Sequence, residues 1–497
     1  MKLIKFFKKN WILILIIAIG LFLRLYRVVP RFTYSHDQDL IGWFVRDVLS
    51  GHLRLIGQET SVPGVFIGSV FYYLIVPFYL IFGMNPIGGI ALVTLLSVLT
   101  IVSIYFVFSR IFDNKIGLIG AFLYSVSYYF VLNNQEVVPT MPVSLWGIWY
   151  LYSLYLIIKN KKLGYILSFG LIGFIWNINF ALAIPSVAIP VAIVLSKRKI
   201  NFKWVLTGLV VFFIVALPFL FFETRHGFQQ SRAITLAIEG KNLNNAGLNN
   251  TFSDQFWKVA DIVYKNTTRI FIRKTPLVPD TLPFFVLTFV TFFAFLKNRG
   301  YWKIGAVIGV WTLAYVLFFT FSKISLSEYY FNGLNIVWLT STALSINFIY
   351  NLKGLKWLVF VALALFLGVS FYRLFTYAEN GNGYVERKAL IDFIKKDSLE
   401  RRFDCVSISY ITDPGYDLGY RYLIWLDKLK LKHPQKDIPV YTVAFPLSKV
   451  GRTDVNFGVL GLVLPDYKRY TEDRISKSCQ GEDTNLTDPM ILFTTKQ

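Results

Sequence analysis

Carboxylates are scarce in this sequence. Its 497 residues include 29 Asp and Glu against 51 Lys and Arg, and only 12 of the acids fall within residues 1–375. Acidic side chains beside a bilayer are costly, and they are usually kept for chemistry, ion handling or pairing. The closest-spaced pair, Asp37 and Asp39, directly follows the first long apolar segment. The run from Ser35 to Asp39 is therefore the first candidate for function.

Cysteine and histidine are also rare, with two and four residues. Cys405 and Cys479 both lie in the polar C-terminal part, where they either form a disulfide in an oxidising compartment or stay free. Neither has histidines at the spacing of metal ligands, so the sequence predicts no zinc site. Two cysteines are also too few for a disulfide framework.

Apolar side chains are abundant. They make up 55% of the residues, and the mean hydropathy is +0.53. This composition predicts a polytopic membrane protein. The net charge of +22 arises almost entirely within residues 1–375, in short basic loops that set topology. The sequence therefore predicts no nucleic-acid partner.

Twelve apolar stretches are candidate membrane spans. If the stretch 63–83 does not cross, every basic loop falls on the side of the Lys-rich N-terminus, as the positive-inside rule requires. Pro63, Gly64 and Pro77 agree with a re-entrant or interfacial segment there. We predict about eleven transmembrane helices in a plasma or inner membrane, with a cytoplasmic N-terminus. The stretches are residues 11–29, 63–83, 87–108, 116–132, 139–158, 164–180, 182–196, 204–222, 282–296, 303–321, 329–349 and 355–375.

The predicted fold is an all-α polytopic membrane domain, residues 1–375, followed by a small extracytoplasmic α/β domain, residues 376–497, called the tail below. Two long loops of the membrane domain face outside, and we call them loop 30–86 and loop 223–281. In the tail, the pattern over Tyr384–Lys396 predicts an amphipathic helix. Short apolar runs predict strands at Asp404–Tyr410, Ile438–Phe445, Phe457–Leu464 and Met490–Thr494.

Loop 30–86 opens with an amphipathic pattern. Apolar residues at positions 40, 41, 44, 45, 48 and 49 share one helical face, and Gly51 is a suitable stop. We predict a helix that lies in the membrane interface with this face down. Asp37 then lies at the N-terminal end of the helix, where the helix dipole favours an ionised carboxylate.

An acid in this place suits an enzyme that uses a lipid-linked phosphosugar. Partial burial raises the basicity of an aspartate, which can then take the proton of an attacking hydroxyl group. The leaving lipid phosphate needs cationic or N–H partners. The candidate donor-phosphate-binding residues are Arg225, His226 and Lys323, and the other basic residues on that side include Arg269, Arg273 and Lys274.

Several motifs of the membrane domain share the pattern of one superfamily. They are Asp37-Gln38-Asp39 before the predicted helix and Gly51, Leu55-Ile56-Gly57, Tyr72-Tyr73, Arg110-Ile111-Phe112, Gly117 to Ala121, Asn133 to Pro142, and Phe222 to Phe228. In these motifs the sequence resembles the GT-C superfamily of membrane glycosyltransferases. It is most similar to the family 39 type, which includes protein O-mannosyltransferases and lipid A aminoarabinose transferases. The resemblance does not extend into the tail.

The resemblance implies a GT-C-like fold and an inverting enzyme at the outer face of the membrane. Its donor would be a polyprenyl-phosphate sugar, and its acceptor a hydroxyl of a protein, a lipid or a glycan. The catalytic base would be Asp37, and the second acidic position would be Glu136. Because this sequence has Asp37-Gln38 where the family commonly has Asp-Glu, Asp39 stays a second candidate for the base. Some branches use a divalent cation, but no full ligand set is visible, and this cofactor is left open.

Simpler roles are open for the same residues. Asp39 could pair with Arg46, Glu136 with a lysine, and Lys323 with Glu328. Other functions are open as well, namely a polymerase or ligase of lipid-linked glycans, a non-catalytic lipid-glycan transporter, or an assembly protein. A transporter would need ionisable residues within its spans and paired broken helices in two halves.

Overall fold

The computed structural model describes residues 2–241, 251–271, 281–298, 300–379 and 381–480. Up to residue 376 it is almost entirely helical, with one small hairpin. The helices are α1 (Lys2–Leu25), α2 (His36–Leu49), α3 (Val70–Ile81), α4 (Gly88–Ile111), α5 (Asn114–Val126), α6 (Tyr128–Asn133), α7 (Val143–Ile158), α8 (Lys162–Gly173), α9 (Ala188–Leu195), α10 (Phe202–Arg225), α11 (Gln229–Ile238), α12 (Phe252–Phe271), α13 (Thr281–Lys297), α14 (Trp302–Phe321), α15 (Asn335–Tyr350) and α16 (Lys356–Thr376).

Every predicted apolar stretch contains a helix. Within the described part of the chain, α4, α10, α14 and α16 are long and apolar enough to cross a membrane. Other apolar helices are shorter, in part because the stretch 116–132 breaks at Ser127 and the stretch 182–196 begins in the 3-10 helix Phe180–Val187. The prediction of a helical membrane protein is confirmed, while eleven crossings and the orientation of the termini stay predictions.

The segment predicted to be re-entrant begins with a hairpin that the sequence analysis missed. Strand β1 (Ile56–Glu59) pairs antiparallel with β2 (Phe66–Gly68), and Pro63 and Gly64 lie in the connection between them. Gly64 has a φ of +79°, which favours glycine. Only the 12 residues of α3 follow as a helix, with Pro77 inside it.

The helix predicted in loop 30–86 is present as α2. It starts at His36 and ends before Gly51, which has a φ of +87°. Most of the apolar face is covered by protein instead of facing lipid, and only its C-terminal end at Leu49 is exposed. Trp43 and Phe44 are fully buried, Phe44 against Tyr72 of α3 and Trp43 against Tyr422 of the tail.

The tail carries a four-stranded mixed sheet. Its elements are α17 (Tyr384–Glu400), β3 (Ser407–Thr412), α18 (Arg421–Leu426), β4 (Val440–Phe445), β5 (Val455–Phe457), β6 (Leu460–Val463) and α19 (Glu472–Ser478). The strand order is β3-β4-β6-β5, with β3 and β4 parallel and the other pairs antiparallel. The predicted helix and three predicted strand regions are therefore confirmed, and the fourth, Met490–Thr494, lies outside the described residues. Cys405 and Cys479 form a disulfide with a Cα–Cα distance of 5.6 Å.

The tail packs directly on loop 30–86. Buried residues of α2, α3, α17, α18 and the tail sheet form one continuous apolar cluster. The hydroxyl of Tyr422 donates to the carbonyl of Met84 at 2.7 Å, and the backbone N–H of Tyr384 donates to the carbonyl of Phe32 at 3.0 Å. The boundary predicted at residue 376 therefore marks a change in composition without a gap in the core, and the division into two domains stays a prediction.

Candidate active site

A large cavity lies between loop 30–86 and the membrane helices. Its volume is about 1090 Å³. Most of the wall is apolar and comes from α14 and from the segment that joins α8 to α9. The polar residues that line it include Asp37, Gln58, Thr60, Ser61, Glu136, Tyr329 and Tyr330.

Asp37 lies in the first turn of α2 and lines this cavity. Burial raises the pKa of Asp37, and this effect outweighs the positive charge of His36 and a hydrogen bond from the Gln58 side chain, both of which lower it. The predicted rise in basicity through partial burial is therefore present, and it outweighs any stabilisation of the ionised acid by the helix dipole. The result is a half-buried carboxylate that is more basic than an aspartate in water.

Tyr72 positions the Gln58 side chain that bonds to Asp37. The hydroxyl of Tyr72 donates to Gln58 Oε1 at 3.1 Å and accepts from the Gln58 backbone N–H at 3.0 Å. A Cβ at Gly57 would lie 2.1 Å from the Tyr72 ring, so this approach requires glycine. Tyr72 is fully buried.

Glu136 reaches the same cavity from the segment between α6 and α7. Gln38 of α2 anchors this segment, because Gln38 Nε2 donates to the carbonyl of Val137 at 3.1 Å. The side chain of Glu136 is exposed towards the cavity, yet desolvation by the surrounding atoms raises its pKa. Gln38 therefore joins the two segments that carry Asp37 and Glu136.

Arg24 of α1 lies at the centre of a buried hydrogen-bond network that holds the segment before Glu136 in place. Its guanidinium is fully buried and bonds to the Ser97 hydroxyl and to the carbonyls of Tyr124 at 3.2 Å and Ser125 at 3.1 Å. Asn134 Nδ2 donates to the same Ser97 hydroxyl at 2.9 Å. Gln135 Nε2 donates to the backbone carbonyl of Arg24 at 2.9 Å.

Asp39 is placed quite differently from Asp37. It is 2% exposed and does not line the cavity. Its Oδ1 accepts from the backbone N–H of Tyr422 at 3.0 Å and from the hydroxyl of Tyr34 at 3.2 Å. Burial raises the pKa of Asp39 to about 6. Arg46, the partner suggested by the sequence, instead stacks on the Trp43 ring at 4.9 Å.

The predicted phosphate-binding residues are all exposed. Because α10 continues past the predicted end at residue 222, Arg225 and His226 sit at its exposed C-terminal turn. Arg225 lies over the Phe221 ring, and His226 stacks on Phe222 with a centroid distance of 4.1 Å. Lys323 is exposed, with its backbone N–H bonded to the carbonyl at position 238. None of the three lines the cavity.

A second, polar pocket adjoins the cavity, and the sequence analysis did not predict it. Its volume is about 430 Å³, and Glu136, Val138, Thr140 and Tyr329 line both spaces. At its rim, Arg269 Nη2 donates to Glu328 Oε1 at 2.6 Å, so Glu328 pairs with Arg269 and not with Lys323 as suggested. The remaining lining residues are Tyr129, Phe130, Asn133, Asn134, Met141, Val143, Ser144, Ile262, Lys265, Asn266, Ser327, Asn332 and Asn335.

Metal ligands do not cluster in the described residues, since no three His, Cys, Asp or Glu side chains there could hold an ion together. Arg273 and Lys274, two further basic residues named from the sequence, lie outside those residues.

Comparison with known proteins supports the resemblance seen in the sequence. The family model described as dolichyl-phosphate-mannose-protein mannosyltransferase matches residues 68–222. The structure is similar to ArnT from Cupriavidus metallidurans bound to undecaprenyl phosphate, with a TM-score of 0.61 and 11% identity over 93% of this chain and 99% of ArnT. It is also similar to the archaeal oligosaccharyltransferase AglB from Archaeoglobus fulgidus in complex with an inhibitory peptide and a dolichol-phosphate. That match has a TM-score of 0.50 and 13% identity over 88% of this chain and 70% of AglB. No curated protein sequence matches the chain.

The predicted GT-C resemblance is therefore confirmed, and the chain has a mostly helical GT-C-like fold with a small sheet region.

Proposed function

We propose that this chain is a membrane glycosyltransferase that moves a sugar from a polyprenyl-phosphate donor to an acceptor hydroxyl at the outer face of the membrane. The observation that carries the proposal is the convergence of two acids on one largely apolar cavity. Asp37 comes from α2 and Glu136 from the segment before α7, and Gln38 ties these two elements together. Acids in such a cavity suit proton transfer next to a lipid substrate.

The donor lipid fits the apolar wall. A polyprenyl chain is hydrocarbon, and α14 offers it Val310, Leu313, Ala314 and Leu317 along one side of the cavity. The ligands named for ArnT and AglB, undecaprenyl phosphate and dolichol-phosphate, are lipids of this kind and support the assignment.

The phosphate would bind beside a cluster of hydroxyl groups in the cavity wall. There the Ser61 hydroxyl lies 2.6 Å from the hydroxyls of both Tyr329 and Tyr330. Hydroxyl donors can stabilise the charge that develops on a leaving phosphate. We propose this hydroxyl cluster as the phosphate site, whereas Arg225, His226 and Lys323 could contribute only from outside the cavity.

In the proposed reaction, Asp37 takes the proton of the acceptor hydroxyl while its oxygen attacks the anomeric carbon. The bond from that carbon to the phosphate oxygen breaks, and the lipid phosphate leaves with the electron pair. Attack opposite to the leaving group inverts the anomeric centre. A raised pKa makes Asp37 a better base. Glu136 would accept a hydrogen bond from the sugar or acceptor, and Asp39, which does not line the cavity, would take no part in the proton transfer.

The test is sugar transfer by purified protein from a panel of polyprenyl-phosphate sugars, with water or added glycans as acceptors. Asp37→Asn should lose transfer by about 10²-fold or more, as expected for a general base. Asp39→Asn is the matched control, because it makes the same change two residues away and should retain transfer. Transfer that survives Asp37→Asn would refute the assigned base. A glycan polymerase or ligase would show elongated glycans as products, and a transporter would bind the lipids without turnover.

A further inference from the structure

The hydrogen bond between Gln38 and Val137 lies one residue away from each of the two cavity acids. Gln38 follows Asp37 in α2, and its Nε2 donates at 3.1 Å to the carbonyl of Val137, which follows Glu136. Both partners are buried, with Gln38 4% and Val137 1% exposed, whereas the two acids line the cavity. The bond therefore joins the backbone beside one acid to the backbone beside the other.

The orientation of the Gln38 amide is fixed from both sides. Its Oε1 accepts from the backbone N–H of Ser35 at 2.9 Å and from the Ser35 hydroxyl at 3.0 Å, as in a capping box at the start of a helix. A backbone N–H can only donate, and the carbonyl of Val137 can only accept. Position 38 therefore has to offer an acceptor to Ser35 and a donor to Val137 at the same time.

The segment between α6 and α7 is attached to three helices. Asn134 Nδ2 donates to the Ser97 hydroxyl of α4 at 2.9 Å, and Gln135 Nε2 donates to the carbonyl of Arg24 in α1 at 2.9 Å. Neither of these bonds reaches α2. Within the described part of the chain, the bond from Gln38 is the hydrogen bond that links this segment to α2. The spacing between the segment and α2 therefore depends on the side chain at position 38.

We propose that Gln38 is a positioning residue for sugar transfer, because its amide sets how Asp37 and Glu136 are placed relative to each other. The inference rests on the proposed function, in which Asp37 takes the acceptor proton and Glu136 contacts the sugar or acceptor. A base acts only within hydrogen-bond reach of the proton that it takes, and a misplacement of about 1 Å can cost about 10²-fold in rate. Gln38 lines neither the cavity nor the polar pocket, so it acts through the two acids and not by touching the substrate.

The substitution Gln38→Glu separates the role of the donor from the role of the side-chain volume. A protonated glutamate can still donate its O–H to the carbonyl of Val137 and accept from Ser35, whereas an ionised one can only accept. A rising pH therefore breaks the bond in this variant while the side chain keeps its size. Acids on both sides of position 38 raise the pKa of a glutamate placed there. The charged and titratable side chains on the surrounding elements are Arg24, Tyr34, His36, Asp37, Asp39, Glu136 and Arg387.

The test measures kcat/KM for sugar transfer by the full-length protein in detergent between about pH 5 and about pH 8. The donor is the undecaprenyl-phosphate sugar that the wild type turns over fastest, and the variants are Gln38→Glu and Gln38→Leu. Each variant is divided by the wild type at the same pH, which removes the titration of Asp37 that all forms share. Gln255→Glu is the matched control, because Gln255 is also buried and its Nε2 donates to a backbone carbonyl, that of Phe319, at 3.1 Å. Gln255 ties α12 to α14 and flanks neither acid.

We expect Gln38→Glu to approach the wild-type kcat/KM at the acidic end and to fall at least about tenfold below it as the introduced carboxyl group ionises. Gln38→Leu should be reduced by a factor that does not change with pH, because leucine never donates. Gln255→Glu should show no fall with pH relative to the wild type. Transfer by Gln38→Glu should return when the same sample is acidified again, since the variant stays folded.

Other results would overturn the inference and leave the proposed function intact. These are a Gln38→Glu variant that follows the wild type at every pH, a Gln38→Leu variant with full transfer, or an equal fall with pH in Gln255→Glu. If Gln38→Leu fails to fold, the reversible pH response of Gln38→Glu decides the question. If the wild-type protein transfers sugar from no donor at all, the proposed function fails and this inference fails with it.

Discussion

Replacing Asp39 with asparagine should make the protein more stable at neutral pH. The side chain is 2% exposed, and its Oδ1 accepts hydrogen bonds from Tyr422 and Tyr34. Asparagine has nearly the same shape and can offer the same oxygen to both donors without a charge. Because burial raises the pKa of Asp39 to about 6, the folded wild-type protein at pH 7 holds a charge that its surroundings disfavour.

The pKa gives the size of the effect. An aspartate with an ordinary pKa of 3.8 when unfolded and about 6 when folded binds its proton more tightly in the folded protein. The resulting stability is fully present below the unfolded pKa and is lost as the pH rises through the folded one. At about 1.4 kcal/mol per pH unit, the loss is about 3 kcal/mol. The asparagine variant does not titrate here, so its advantage should develop between about pH 4 and pH 7.

The assay is thermal unfolding of the detergent-purified protein across this pH range, followed by tryptophan fluorescence. Asp39→Asn should unfold at a higher temperature than the wild type at pH 7 and show less dependence on pH. Asp39→Ala should be less stable at every pH, because it leaves the two buried donors without an acceptor. An asparagine variant that is less stable than the wild type at pH 7, or that keeps the full wild-type pH dependence, would refute this reasoning.

Three further outcomes are expected. Because burial raises the pKa of Asp37 and a base must be ionised, kcat/KM for sugar transfer should rise with pH through that raised pKa and then level off, and a fall over the same range would contradict the assignment. Arg24→Met should lower stability by about 1–3 kcal/mol and reduce transfer, since the Glu136 segment loses its support, whereas unchanged thermal unfolding and turnover would show that the buried network does not matter. Cys405→Ser, which opens the bond to Cys479 across 74 residues, should destabilise the tail by about 2–4 kcal/mol in denaturant unfolding, and an unchanged midpoint would argue against a contribution from the disulfide.

The local patterns of the sequence predicted the fold well. The helical periodicity after Asp37 and the stop at Gly51 gave α2 nearly to the residue, and the apolar stretches located the membrane helices. The pattern of one helix or strand depends only on residues that are close in sequence, so it can be predicted from a short stretch of the chain. The apolar face of α2 was wrongly predicted to face lipid. An apolar face can be covered by lipid or by protein, and the sequence pattern is the same in both cases. The folded tail shows that protein covers most of this face.

The candidate site was predictable only in part. The acids Asp37 and Glu136 stood out because carboxylates are rare in this chain, and the structure brings them to one cavity. Asn266 and Asn335 come together from helices that are far apart in sequence, and no local pattern joins them. The sequence does offer one signal for a polar site, namely a single amide within an apolar run, as at Asn335. That signal does not show which residues lie next to the amide in the fold. Arg225 was predicted to bind phosphate from its charge alone. The direction in which its side chain points depends on where α10 ends, and the sequence placed that end too early.

The bond between Asp39 and Tyr422 also sets an order of events during synthesis. Its two ends are 383 residues apart, and the acceptor is made long before the donor. Until the tail has emerged and folded, the helix that carries Asp37 lacks the backbone amide of Tyr422, which bonds to Asp39, and the tail rings that cover part of its apolar face. We therefore expect that a nascent chain already possessing every cavity residue is still inactive, and that competence arrives with the last quarter of the polypeptide.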